Sequence, residues 1–323
     1  MGPKEVSMID FESLLPAHSA TAGQAEFRAR LIQILNSQGE ILPAAESPLG
    51  RLWQLVHSER STIEECVDVI ALDPALTSRV FRLANSAAYE GHVKTLKEAV
   101  FFLGLSEIRQ AAFNAGVFAQ FSKIKLPAGW NHFWVRNIFI SRLAERLCGL
   151  YFPATGMEYL AGLLHDTGWI FLAAFFPTEL RQILASSLEL DEAERKILSF
   201  SHADVAALIA TRSHLPRRVV KAIAYHQNPS LDRHESAEVQ AQAQAPAESA
   251  KFLGVVLNLC ANLADCCEMQ MFGQKGRTVE EIDLLPETRW LSAYGPRPDF
   301  AAALREELPK AEELHATFFA EHP

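Results

Sequence analysis

The sequence predicts an all-α protein, on three observations. Apolar residues recur at helical spacing through most of the chain, as in Phe27, Leu31, Ile34 and Leu35. Helix start signals recur too: a hydroxyl residue with glutamate three places on, or an aspartate followed by proline. No run alternates apolar and polar side chains as a half-buried strand requires.

Taken in order, the elements divide the chain into four regions. Residues 1–40 form a helical extension that carries the Phe27 stripe. Residues 41–125 form a lobe of short helices, opened by the stripe Leu49, Leu52, Trp53 and Val56. In "STIEECVDVIAL" the Ser61 hydroxyl can accept from the backbone N–H of Glu64, whose carboxylate can reach back. Asp73 is placed to cap the next helix, with Pro74 at its first position, where the missing N–H costs nothing. Thr95 and Glu98 form a second box, and the Phe101–Phe102 pair with Leu103 and Leu105 reads as core. "KLPAGWN" interrupts helix at Pro127 and Gly129, so a second lobe spans 126–274 and its long helix opens at His132. Within it, Val205, Leu208 and Ile209 face inward in "SHADVAALIATRSHLP", as do Val219, Val220, Ile223 and Ala224 in "LPRRVVKAIAYHQNP". The polar stretch at 232–249 predicts a mobile loop before an apolar helix over 252–272. Residues 275–323 end in an amphipathic helix that Pro309 interrupts.

Composition narrows the function classes. The chain has 323 residues, 49% apolar and 21% charged, enough for a large core. A net charge of −9 opposes binding to a phosphate backbone, so no nucleic-acid partner is expected. The cluster Arg212, Arg217, Arg218 and Lys221 reads as a solvated helix start. The longest apolar run, Trp169 to Phe176, stops at Pro177 and Glu179, short of a membrane span. The first residues lack a secretory pattern, and the five cysteines have no metal or redox spacing. Four of them read as small core residues, and the expected location is the cytoplasm.

Chemistry concentrates in "GLLHDTGWIFLAAFF", which sets His165 and Asp166 inside an apolar run. His202 and His226 likewise stand at helix ends beside buried stripes. Imidazoles with a carboxylate suit a borderline divalent cation, and Asp166 could activate a water for attack on phosphorus. Each residue also has a structural role open to it. His165 can close a helix, Asp166 can bond the turn two residues on, His202 can belong to a helix start, and His226 can end a helix.

Five segments in order resemble the HDOD domain of bacterial signalling proteins: "ALDPALTSRVFRLANSAAY", "LKEAVFFLGLSEIRQ", "LAGLLHDTGWIFL", "SHADVAALIATRSHLPRRVVKAIAYHQNP" and "LGVVLNLCANLAD". The resemblance covers roughly residues 40 to 270. It implies an N-terminal helical lobe packed on a lobe with the helix arrangement of HD-type metal-dependent phosphohydrolases. It further implies a signalling or regulatory role without demonstrated catalysis.

Position by position, the superfamily's first histidine falls at Arg136, with His132 one turn earlier as an imperfect substitute. The pair is His165–Asp166, and the lysine that commonly ends the motif is Trp169. His202 and His226 match the following histidines, Gln227 stands for a second histidine, and the late aspartate falls at Asn262, with Asp265 three residues on. Arg136 brings a permanent positive charge, and Asn262 removes a negative one. The resemblance therefore implies a vestigial site of His165, Asp166, Arg136 and Asn262, with Arg136 forming a bidentate pair with Asp166 in place of a metal. No resident cofactor is expected. A divalent metal, if held, would use His165, Asp166, His202 and His226, with water or Asp265. The expected activity is non-enzymatic regulation through signalling proteins as partners and a small nucleotide-like ligand. The alternative is a metal-dependent phosphohydrolase with an atypical ligand set.

Overall fold

The computed structural model describes residues 22–37, 51–52, 55, 62–121, 124, 127, 130, 132–213, 215–229, 249–272 and 276–318. Among these residues every regular element is a helix. The N-terminal part holds α1 (Ala22–Ser37), α2 (Ile63–Ile70), α3 (Pro74–Ala84) and α4 (Leu96–Phe121). Then follow α5 (Phe133–Gly149), α6 (Met157–Leu164), α7 (Thr167–Phe175), α8 (Pro177–Leu184), α9 (Leu190–Leu198), α10 (His202–Arg212) and α11 (Arg217–Tyr225). The chain closes with α12 (Ala250–Asp265), α13 (Val279–Asp283), α14 (Pro286–Leu291) and α15 (Phe300–Phe318).

Helix α5 is the axis of the molecule. Fifteen of its residues, from Phe133 to Cys148, are buried, including Arg136, Asn137, Ser141, Arg142 and Glu145. It is enclosed because α6, α12 and α15 all pack on it. Gly162 permits the closest approach, since a Cβ there would lie 2.6 Å from Ser141 Cα. Its buried charged groups, Arg136, Arg142 and Glu145, find partners on other elements, whereas Ser141 bonds the Asn137 carbonyl of its own helix. Arg142 Nε donates to Glu307 at 2.7 Å and its Nη1 and Nη2 donate to Glu107 at 2.9 and 3.0 Å, so α4, α5 and α15 share one ionic junction. Arg146 extends it to Glu306 and Glu307.

Local signals explain most helix starts. Asp73 accepts from Ala75 and Leu76, with Pro74 at the first position. Thr95 accepts from Glu98 N–H while the Glu98 carboxylate accepts from Thr95 N–H. The box expected at Ser61–Glu64 forms one residue later, at Thr62–Glu65. That register turns Cys66, Val69 and Ile70 inward, so burial selects between two adjacent hydroxyls. Thr62→Ala should cost about 1 kcal/mol, read as a fall in urea midpoint without a change in slope.

Several expectations need correction. Phe101 and Phe102 are not core but 74% and 47% exposed. Gly104, at φ 78°, breaks the helical path of α4 just beyond them, so the pair does not continue the inward stripe of Ile108, Ala111 and Ala112. Pro309 does not interrupt α15, which runs on because Ala303, Ala311, Leu314 and Phe318 on both sides of it are buried. The helix expected over 252–272 ends at Asp265, and Glu268 at φ 58° lies beyond its last turn. Cys66, Cys148 and Cys260 are buried, whereas Cys266 and Cys267 are half-buried. Of the basic cluster, Arg218 is no solvated charge. It donates to the fully buried Glu158 at 2.6 Å, and Arg212 bonds Asn36. The stripe at Leu49–Val56 lies outside the described residues except for the buried Leu52. So does the 232–249 loop except for Ser249, which caps α12, and most of "KLPAGWN". No single helix among the described residues is long and apolar enough to cross a membrane.

Candidate metal centre

Three helix ends deliver the histidines to one place. His165 closes α6, His202 opens α10 and His226 closes α11. Each position has a local cause. Ser201 and Asp204 form a capping box that starts α10, so His202 occupies its first turn. The turn from His165 to Thr167 joins α6 to α7 and leaves Asp166 at the start of α7. Its side chain makes no capping bond there, contrary to the turn role open to it from sequence. Gly168 lets α7 lie directly on α10: a Cβ would come within 1.9 Å of the His202 carbonyl oxygen.

The carboxylate is ringed by imidazoles. Asp166 Oδ2 lies 3.2 Å from His165 Nε2, and Oδ1 lies 3.3 Å from His202 Nε2 and 3.6 Å from His226 Nε2. All three rings are fixed at their other nitrogen. His165 Nδ1 donates to the Gly162 carbonyl at 2.6 Å, and His226 Nδ1 to the Ile223 carbonyl at 2.7 Å. A carbonyl can only accept, so Nδ1 of each of these rings carries a proton and Nε2 is the atom turned toward Asp166. His202 Nδ1 meets both oxygens of Glu194 at 2.9 and 3.0 Å. Nε2 of His165 and of His202 are buried without a hydrogen-bond partner of good geometry. Such orphaned nitrogens, with acceptors fixing the far side of each ring, match the donor set of a divalent cation. Donors of His165, Asp166 and His226 gather within 4.8 Å of one another. The residues present therefore fit a metal ion. When bound, it would supply a polarising charge and lower the pKa of a coordinated water.

The charges of the ring follow from this enclosure. Burial alone would raise the Asp166 carboxyl, but His165, His202 and His226 together hold it well below the usual carboxylate range. His202 is opposed by burial, yet Glu194 and Asp166 raise it to about 10. Burial lowers His226 and raises Glu194.

Arg136 does not pair with Asp166 as expected. Its Nη2 reaches Asp265 at 3.3 Å and its Nη1 the Ala261 carbonyl at 3.4 Å, while Nε has no partner. The physical reason is placement: α12 packs on α5 and brings Asp265 to the guanidinium, while three imidazoles surround Asp166. Burial raises the Asp265 carboxyl, and Arg136 pulls against that. Asn262 turns its amide along its own helix to Asn258. His132 is exposed at the start of α5 and does not line the cleft. All the other site candidates do. The cleft measures about 410 Å³. Sequence reasoning missed Glu194, Phe272 and Arg277. Glu194 left one trace, standing between Leu190 and Leu198 at i, i+4, i+8, where an apolar residue belongs. Trp169 was noted only as a missing lysine. In the structure it stacks on His202 at 4.2 Å and 22°, and Phe272 packs on it at 4.6 Å.

An all-helical fold with a histidine–aspartate ring between its helix ends defines the HD-like class of helical proteins. The chain belongs to the HDOD domain family, whose match spans residues 42–229. A Treponema pallidum (strain Nichols) protein is 26% identical over 206 residues, 58% of this chain. The chain spans 38% of the length of that relative. An HDOD domain protein of unknown function from Geobacter sulfurreducens superposes with TM-score 0.69 at 21% identity, covering 91% of this chain and 99% of that one. A Shewanella amazonensis SB2B protein, provisionally named a phosphohydrolase, gives 0.62 at 21% identity over 88% and 98%. A Marinobacter aquaeolei VT8 protein, provisionally named a signal transduction protein, gives 0.60 at 21% identity over 95% and 69%. At such identities the likeness speaks for the fold alone.

Proposed function

We propose that this chain is a regulatory HDOD module that binds and does not turn over its ligand, with signalling proteins as partners. The observation that carries this reading is the Arg136–Asp265 ion pair beside the ring. It sets a fixed guanidinium, which cannot lose its proton to coordinate a metal, 3.3 Å from an acid that could have been a ligand. The pocket is thereby reduced relative to a two-ion hydrolytic centre, which clamps both the attacking and the leaving oxygen. The half-buried ring of Phe272, backed by Trp169 and with Arg277 on the same cleft, suits a planar ring carrying a phosphate, so the ligand is nucleotide-like.

The converging Nε2 atoms favour a second reading, a phosphohydrolase with an atypical metal set. One assay separates the two. Purified chain with added Mn2+ is expected to release no product from generic phosphodiester and phosphomonoester substrates. Turnover that disappears on joint His165→Ala and Asp166→Ala substitution would establish the enzyme instead.

A further inference from the structure

Helix α1 contributes no side chain to the cleft, yet it grips elements that do. We propose that α1 is a releasable strap: docked, it holds α9 and the α9–α10 turn in place, and released, it loosens that wall of the cleft. This goes beyond the regulatory reading and needs neither a bound ligand nor turnover.

The grip is built on helix ends. Helix α1 packs on α9, and Phe27 meets the ring of Phe176 edge-on at 6.2 Å. Gln24 Nε2 donates to the carbonyls of Arg195 and Lys196 in the last turn of α9, at 3.4 and 3.1 Å. Arg28 donates through Nε to the Ser199 hydroxyl at 2.8 Å and through Nη2 to the Ser199 carbonyl at 3.2 Å. Arg30 Nη2 donates to the carbonyl of Phe175, which ends α7, at 2.6 Å, and its guanidinium lies over the Phe176 ring. The last carbonyls of a helix have no partner within it, and its negative end favours cations. Gln24, Arg28 and Arg30 therefore act as caps delivered from a distant segment.

The gripped elements support the cleft. Glu189 and Leu190, at the start of α9, line it. Glu194, in the middle of α9, accepts from the His202 backbone N–H at 2.9 Å and meets Nδ1 of the same residue. Ser199, at φ 69°, turns the chain from α9 toward His202. Phe200 in that turn packs edge-on against Phe176, the ring that Phe27 and Arg30 touch. Two routes thus run from α1 to His202, one through Ser199 and one through Phe176 and Phe200.

The hold is light. Among the described side chains of this 16-residue helix, Leu31 and Leu35 alone are buried, whereas α5 buries fifteen. The bonds of Gln24 to Lys196 and of Arg30 to Phe175 are exposed to solvent. Segments with few buried apolar contacts and exposed hydrogen bonds open locally, without global unfolding. A helix this short is marginal alone in water, so undocking and unwinding go together. Helix α1 also lies outside residues 42–229, the span of the family match.

Hydrogen exchange in the full chain, read at single amides by mass spectrometry with electron-transfer fragmentation, tests the strap. The His202 amide, held by Glu194, reports on the cleft, and α5 reports on global stability. In the unaltered chain α1 is expected to exchange roughly tenfold or more faster than α5. Arg28→Ala plus Arg30→Ala should speed exchange in α9 and at His202 by roughly tenfold, with α5 unchanged. An α1 as protected as α5 in the unaltered chain would overturn the inference. So would a folded double variant in which α9 and His202 keep their original rates. Equal acceleration of α5 would also sink it, since α1 would then be part of the common core. Should the double variant fail to fold, Arg28→Lys takes its place with the same expected and overturning results, because an ammonium keeps the charge and loses the fork that grips Ser199.

Discussion

Gly168→Ala is expected to be the most damaging single methyl group in the molecule. The added carbon would sit 1.9 Å from the His202 carbonyl oxygen and 2.7 Å from its carbonyl carbon, and both are backbone atoms that no rotamer change can move. Helix α7 must therefore back away from α10. Overpacking of this kind costs about 3 kcal/mol or more, so the melting temperature should fall by roughly 6 °C or more. The displacement also separates Asp166, two residues earlier, from His202. Loss of Mn2+ binding by a variant that remains helical at low temperature would confirm that this contact assembles the ring. A variant with unchanged melting temperature and unchanged Mn2+ affinity would show that the helices do not meet this closely.

Arg142→Met should be nearly as severe, at a site far from any ligand chemistry. The guanidinium is 3% exposed and lies between Glu107 and Glu307, which are themselves largely buried. Removing it leaves Glu107 without its cation in the interior, while Glu307 keeps Arg146 at 2.9 Å, a loss of about 3–5 kcal/mol. The effect carries a pH signature. Burial pushes the Glu107 carboxyl up, but Arg142 outweighs this and leaves it below its ordinary value. A depressed acid stabilises the fold above its unfolded pKa, near 4.3, and that contribution fades as pH falls through the folded value. The gap between parent and variant should thus be full at neutral pH and shrink as pH falls, first above about pH 4.3, where the variant's stranded Glu107, raised by burial, takes up its proton, and then below it, where the parent's depressed Glu107 titrates. Thermal melts from pH 3 to pH 8 measure it. A pH-independent gap would mean that Arg142 contributes packing rather than charge.

The two substitutions mark what was and was not legible in the chain. Helix content was legible because period and caps are local: Asp73 with Pro74, and Thr95 with Glu98, act within one turn. So was the set of histidines at the helix ends, through the order of the matching segments. The partner of Arg136 was not. Whether it meets Asp166 or Asp265 depends on how α12 lies on α5, some 125 residues away in sequence, with three rings surrounding Asp166. Glu194 was hidden for the same reason, since a single acid in an apolar stripe has no meaning until the helix it faces is known. Phe101 and Phe102 failed in the opposite direction. Their apolar character suggested core, and a positive φ at Gly104 redirected the helix path.

From its residues alone, this chain was bound to be helical, to set His165, His202 and His226 at helix ends, and to carry a fixed positive charge at position 136. Those properties follow from periodicity, capping chemistry and the identity of side chains, all of which act over a few residues. Tertiary packing decided the rest: which nitrogen of each ring points inward, which acid Arg136 holds, and how closely α7 lies on α10. Electrostatic pairing and steric contact act through space between distant segments, so only the assembled helices could settle them.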